Sequence, residues 1–161
     1  MKHFIMGLAI GVICGALAYS AYHECVCEEP HLPKDTIVML EQPEFLLSDS
    51  ITVERLYEAC DYYGIQHPDI VVTQAILETG FFKSELCLNQ NNLFGLFNSK
   101  KMDFYEFDHW SESVKAYRNK VQYRYKEGDY YEWLERIGYA EDSLYVSKLK
   151  NIREKYNLVT E

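Results

Sequence analysis

The chain has 161 residues, with 25 acidic against 16 basic side chains and a formal net charge of −9 at pH 7. That balance excludes the usual nucleic-acid binder, which presents a basic face, and it offers an anionic polymer no general attraction. The length suits one domain of roughly 110 residues, enough for a workable core, plus an N-terminal appendage.

Lys2 and His3 precede an uncharged run from Phe4 to Tyr22, and Glu24, Glu28 and Glu29 follow it. A run of that length just spans a bilayer as a helix, and its basic flank stays cytoplasmic, so the remainder is exported. Ala16-Leu17-Ala18 resembles a signal-peptidase site, whereas the length of the run suits an uncleaved anchor. Residues 1–23 are therefore read as a signal-anchor or signal peptide, with the anchor favoured. The expected location is the cell envelope: anchored in the inner membrane and facing the periplasm or exterior, or secreted if the signal is cleaved. Residues 24–48 read as a linker, because Pro30, Pro33 and Pro43 interrupt any helix and the acids keep it solvated. Ile37–Leu40 is open to reading as a short strand or a docking segment. Residues 49–161 form the folded domain.

A first helix is expected over Thr52–Tyr63, with Thr52 as N-cap, an apolar face of Val53, Leu56, Tyr57 and Cys60, and a stop at Gly64. His67-Pro68-Asp69-Ile70 opens a second. Pro68 fits the first helical position, Asp69 suits the positive end, and Gly80 permits a left-handed stop. A hairpin follows, with strands over Leu93–Phe97 and Phe104–Phe107 and a turn at Asn98–Lys101; Phe104 and Glu106 share one face. Ser111 is expected to cap a third helix with Val114, Tyr117 and Val121 inward. Asp129-Tyr130-Tyr131-Glu132 reads as a capping box for a short helix ending at Gly138. Asp142 is expected to cap the last helix, with a stripe of Tyr145, Leu149, Ile152 and Tyr156. The class is mainly α, an α+β fold with one small β-hairpin. Cys60 and Cys87 fall inside the domain, where export permits a disulfide if their geometry allows it.

Glu78 lies in the last turn before Gly80. The partial negative charge there disfavours an ionised carboxylate, and Leu77, Phe81 and Phe82 would add desolvation by closing over it. Both effects raise its pKa toward what a general acid needs near neutral pH. Gln74, one turn earlier on the same face, is placed to orient the carboxyl. Such an acid suits protonation of a leaving sugar oxygen; taken alone, a Glu beside a Gly is equally a solvated helix end.

Four blocks change that balance: Gln74-Ala-Ile-Leu-Glu-Thr-Gly-Phe-Phe-Lys-Ser84, Asn91-Asn-Leu-Phe-Gly-Leu96, Phe107-Asp-His-Trp-Ser-Glu-Ser-Val114 and Gly138-Tyr-Ala-Glu-Asp-Ser-Leu-Tyr145. In this order the chain resembles the bacterial endo-β-N-acetylglucosaminidases of glycoside hydrolase family 73, the mannosyl-glycoprotein endo-β-N-acetylglucosaminidase domain also found in the flagellar peptidoglycan hydrolase. The resemblance implies a lysozyme-like, mostly helical fold. It implies cleavage of the β-1,4 bond after N-acetylglucosamine in peptidoglycan glycan strands. It assigns the general acid to Glu78 and marks Tyr139 as an active-site residue.

Glycoside hydrolysis generally uses two carboxylates. The family's second acid sits in the hairpin region, where Asp103, Glu106 and Asp108 are available. Glu106 is chosen because it falls within the second expected strand; alternatively the substrate's own acetamido group acts as nucleophile, an exception to the two-carboxylate rule. Tyr139 would support the transition state or position a water; structural packing is the alternative. Gln74, Asn91, Asn92 and Trp110 are the candidate substrate-binding residues: Asn91 and Asn92 are turn residues first, with amides that also suit N-acetyl groups, and Trp110 is an indole that is either a sugar platform or a core anchor. His109 has no matching ligands for a metal, and no cofactor is implied. The expected partners are peptidoglycan glycan strands and, through the N-terminal helix, a membrane. Two rivals stand beside the hydrolase: a lytic transglycosylase, which also relies on one helix-end Glu but leaves an anhydro-sugar end, and a non-catalytic glycan-binding or scaffold module.

Overall fold

The computed structural model describes residues 42–158. The expectations for residues 1–23, for most of 24–48 and for Ile37–Leu40 lie outside them. Among the described residues no helix is long and apolar enough to cross a membrane.

Local chemistry sets the helix ends. The Thr52 hydroxyl accepts the Arg55 N–H at 3.2 Å and opens α1, Val53–Tyr62. Gly64, at φ +69°, lets the chain reverse. Pro68 occupies the first turn of α2, Pro68–Thr79, and Gly80 stops it in the left-handed conformation. There the Phe81 N–H reaches the Ile76 carbonyl at 2.9 Å, the long bond of a Schellman motif. Helix α2 is buried on almost every side and packs against both α1 and α6, Tyr145–Lys155. Its residues Val71, Val72 and Ala75 have no exposed surface.

A further helix, α3 at Glu85–Gln90, falls between the expected second helix and the hairpin, a stretch for which no element is expected from the sequence. Its signal was Ser84, whose hydroxyl accepts the Cys87 N–H at 3.2 Å. The hairpin is shorter than expected: β1, Phe97–Asn98, pairs antiparallel with β2, Asp103–Phe104, in the register Phe97↔Phe104 and Asn98↔Asp103. Glu106 therefore follows β2 rather than lying inside it.

Helix α4, Trp110–Lys120, is capped by His109, whose ring Nδ1 accepts the Ser111 N–H at 3.2 Å. Ser111, the expected cap, is buried in the first turn. Asp129 caps α5, Tyr130–Arg136, by accepting from the N–H groups of Tyr131 (2.8 Å) and Glu132 (3.0 Å). Leu144 holds the N-cap position of α6, and Asp142 instead fixes the preceding turn by accepting the Leu144 N–H at 2.9 Å. Cys60 and Cys87 are buried free thiols, not a disulfide.

The end of the expected linker belongs to the domain. Glu44–Leu47 forms a 3-10 helix that buries Phe45, 1% exposed, edge-on against Tyr62 and Tyr63 and tilted against Trp110. The Ser48 carbonyl then accepts from His109 Nε2 and Trp110 Nε1, each at 3.0 Å.

Candidate active site

The turn after Glu78 is built by its neighbour. Gly80, Phe81 and Phe82 have φ of +57°, +64° and +63°, a region that bulky residues enter under strain and that clusters at functional sites. Thr79 clamps it. Its buried hydroxyl donates to the Ala75 carbonyl at 2.6 Å and accepts the Phe82 N–H at 2.7 Å. Its carbonyl takes the N–H groups of Lys83 and Ser84 at 2.9 and 2.8 Å. The clamp leaves Glu78 accessible to solvent on the last turn of α2.

Helix α6 supplies the contact to the acid. The Tyr145 hydroxyl donates to Glu78 Oε1 at 2.8 Å. Burial raises the Glu78 pKa above its ordinary 4.5, and the Tyr145 hydrogen bond only partly opposes it. The residue's edge is open, as a proton donor to an incoming group must be, while the carboxyl rests against the tyrosine. Of the rings expected to cover the acid, Phe81 is exposed and leans on Tyr156, 5.1 Å between centroids.

Gln74 sits one turn back, as expected, but acts at one remove. It has no exposed surface; its Nε2 donates to the Tyr145 hydroxyl at 3.2 Å and its Oε1 accepts from Tyr117 at 2.7 Å. It orients the tyrosine that orients the acid, and does not reach solvent to contact a substrate. Tyr139 lies beside Tyr145, ring centroids 5.5 Å apart. Burial first and then the Glu78 charge hold its phenol protonated, well above the usual tyrosine range. Its hydroxyl is buried without a hydrogen-bond partner among the described residues, as are those of Tyr57 and Tyr131.

The remaining candidates divide between site and scaffold. Asn92 is 1% exposed and spends its amide on the chain. Its Nδ2 donates to the Leu96 and Tyr105 carbonyls, each at 2.9 Å, and its Oδ1 accepts the Leu96 N–H at 2.9 Å. It ties the loop before β1 to the strand end after β2. Trp110 is also 1% exposed, so it is a core anchor and not a sugar platform. Asn91 ends α3 at φ +54° and donates to the Phe107 carbonyl at 2.9 Å, while remaining half-buried. Glu106 is exposed on the segment beyond β2. Tyr145 was placed by the sequence only in a packing stripe; its presence in the Gly138–Tyr145 block was the one signal of more.

Residues 53–158 match the glucosaminidase family described as mannosyl-glycoprotein endo-beta-N-acetylglucosaminidase. The chain belongs to this family of glycoside hydrolases. The membership agrees with the four blocks read from the sequence. The exo-glucosaminidase LytG of Bacillus subtilis (strain 168) is similar at 30% identity over 161 residues, which is 79% of this chain and 56% of that protein. The chain thus spans little more than half the length of that relative. The crystal structure of the catalytic domain of the autolysin Auto from Listeria monocytogenes aligns over 89% of this chain and 94% of that one, with 20% identity and a TM-score of 0.48.

Proposed function

We propose that this glucosaminidase-family chain hydrolyses the β-1,4 bond after N-acetylglucosamine in peptidoglycan glycan strands, with Glu78 as general acid. The observation that carries the reading is the state of Glu78: a carboxyl kept protonated to higher pH by burial, steadied by Tyr145, yet accessible to an incoming group. Family membership supports the reaction class. The name of LytG, a glucosaminidase, supports the sugar and raises the choice between exo and endo attack.

Glu78 gives its proton to the glycosidic oxygen as the bond to the anomeric carbon breaks, and positive charge develops on the sugar ring. The Gly138–Tyr145 block supports a role for Tyr139, whose ring lies beside Tyr145, in supporting that charge or positioning the attacking water. Glu106 or the substrate acetamido oxygen serves the opposite face. Asn91 alone of the four amide and indole candidates keeps the solvent access that a substrate contact needs. On this reading the domain is lysozyme-like, the enzyme acts in the cell envelope, and residues 1–23 deliver or anchor it there.

Digestion of purified peptidoglycan with the full-length chain tests this through the newly formed end, identified by mass spectrometry. A reducing N-acetylglucosamine end is expected. An anhydro-sugar end would instead mean a lytic transglycosylase, and binding without cleavage a glycan-binding module.

A further inference from the structure

Four side chains behind Glu78 form a single hydrogen-bonded line. The Tyr130 and Tyr117 hydroxyls lie 3.0 Å apart, Tyr117 donates to Gln74 Oε1 at 2.7 Å, Gln74 Nε2 donates to the Tyr145 oxygen at 3.2 Å, and Tyr145 donates to Glu78 Oε1 at 2.8 Å. The four come from α5, α4, α2 and α6, and all four are buried, so bulk water does not compete for these groups.

One polarity of the line satisfies every hydroxyl. A phenol has one proton, and an amide donates only from its nitrogen. Because the Tyr117 proton goes to Gln74, its oxygen accepts from Tyr130. Because the Tyr145 oxygen takes the Gln74 N–H, its own proton points to Glu78. Reversing the line turns the Gln74 amide over and makes Tyr145 an acceptor from Glu78. It also leaves the Tyr130 proton without an acceptor among the described residues, an arrangement that burial disfavours.

We propose that Tyr145, locked by Gln74, Tyr117 and Tyr130, is a positioning residue that divides the work of the two Glu78 oxygens: Oε1 is held as a hydrogen-bond acceptor, and the transferable proton resides on Oε2. The proposal rests on Glu78 being the acid. The proton passes from Oε2 to the glycosidic oxygen, and the charge left on the carboxylate meets a hydrogen bond already in place at Oε1, so no group reorients during transfer. The locked polarity also keeps Glu78 from turning its proton inward to Tyr145.

Two single-hydroxyl deletions test this in the full-length chain. Tyr145→Phe removes the donor to Oε1. Tyr117→Phe frees the Gln74 amide to turn over, which lets Tyr145 accept from protonated Glu78. Both favour the protonated acid. Titration of the Glu78 carboxyl carbon by 13C NMR should shift upward by about one pH unit in Tyr145→Phe, and by less in the same direction in Tyr117→Phe. The basic limb of the kcat/KM profile should move with it. Tyr123→Phe, at an exposed ring outside the line, should move neither. A purely structural role for these tyrosines would lower kcat or stability without displacing the titration. An unmoved or downward titration in Tyr145→Phe overturns the proposal, and an unmoved one in Tyr117→Phe overturns the locked polarity. If the titration moves while the kcat/KM limb stays, the positioning stands and Glu78 loses its role as acid.

Discussion

The Tyr145 hydroxyl donates to Glu78 Oε1 at 2.8 Å across 67 residues of sequence. The bond joins the end of α2 to the start of α6, and it is the direct link between the acid and the buried tyrosines behind it. Burial still outweighs it, so the Glu78 pKa in the folded state lies above the ordinary value of 4.5.

That inequality has a signed consequence for stability. A group with a raised folded-state pKa contributes fully below its unfolded pKa, and the contribution is lost as pH rises through the folded value. Glu78→Gln keeps an amide oxygen for Tyr145 and carries no charge. The variant should therefore melt at a higher temperature than the parent chain at neutral and mildly basic pH, with the gap closing below pH 4.5. Calorimetric scans across pH check this; a Gln variant that is less stable at neutral pH would contradict the assigned direction.

Asn92→Ala should be costly despite lying outside the chemistry. It removes three hydrogen bonds at a buried site; the Leu96 carbonyl keeps the Tyr105 N–H at 2.9 Å, but the Tyr105 carbonyl and the Leu96 N–H are left to find other partners. A loss of about 2–4 kcal/mol is expected, since each abandoned buried group costs roughly 1–3 kcal/mol and relaxation recovers part of it. Urea unfolding measures it, and a change under about 0.5 kcal/mol, the size of an ordinary surface substitution, would mean that the loop between α3 and β1 does not depend on this clamp.

Phe45→Ala should destabilise the domain by about 3–5 kcal/mol, the usual cost of emptying a buried phenylalanine site. The same loss should follow from starting the chain at residue 49, which removes Phe45 and the Ser48 carbonyl that holds His109 and Trp110. If the truncated domain melts with the full-length chain, the strap from Pro43 to Ser48 is not part of its core.

Features carried by neighbouring residues were readable from sequence. Thr52 before α1, Pro68 and Gly80 bounding α2, and Asp129 before α5 act through bonds that span a few positions. Features decided by distant contacts were not. Nothing near Trp110 says that Ser48 will accept its indole N–H, so platform and core anchor looked alike. Tyr145 has the helical spacing of a packing residue, and only the fold brings it to Glu78. Phe45 stands between prolines and acids that read as solvated, yet the open face of α1 and α4 takes it in. Helix α3 is short, and its cap at Ser84 was obscured by the more conspicuous Gly80 stop. Glu106 drew its strand assignment from a hairpin that the polar turn ends early.

The central claim is that Glu78 donates the proton. The rate at which full-length Glu78→Gln releases new reducing ends from purified peptidoglycan tests it most directly, once an unaltered circular dichroism spectrum and a cooperative melt no lower than the parent's show that the variant is folded. The account predicts a fall of about 100- to 10,000-fold, the range general acid catalysis supplies. Release within about twofold of the parent chain would contradict it and remove Glu78 from the chemistry.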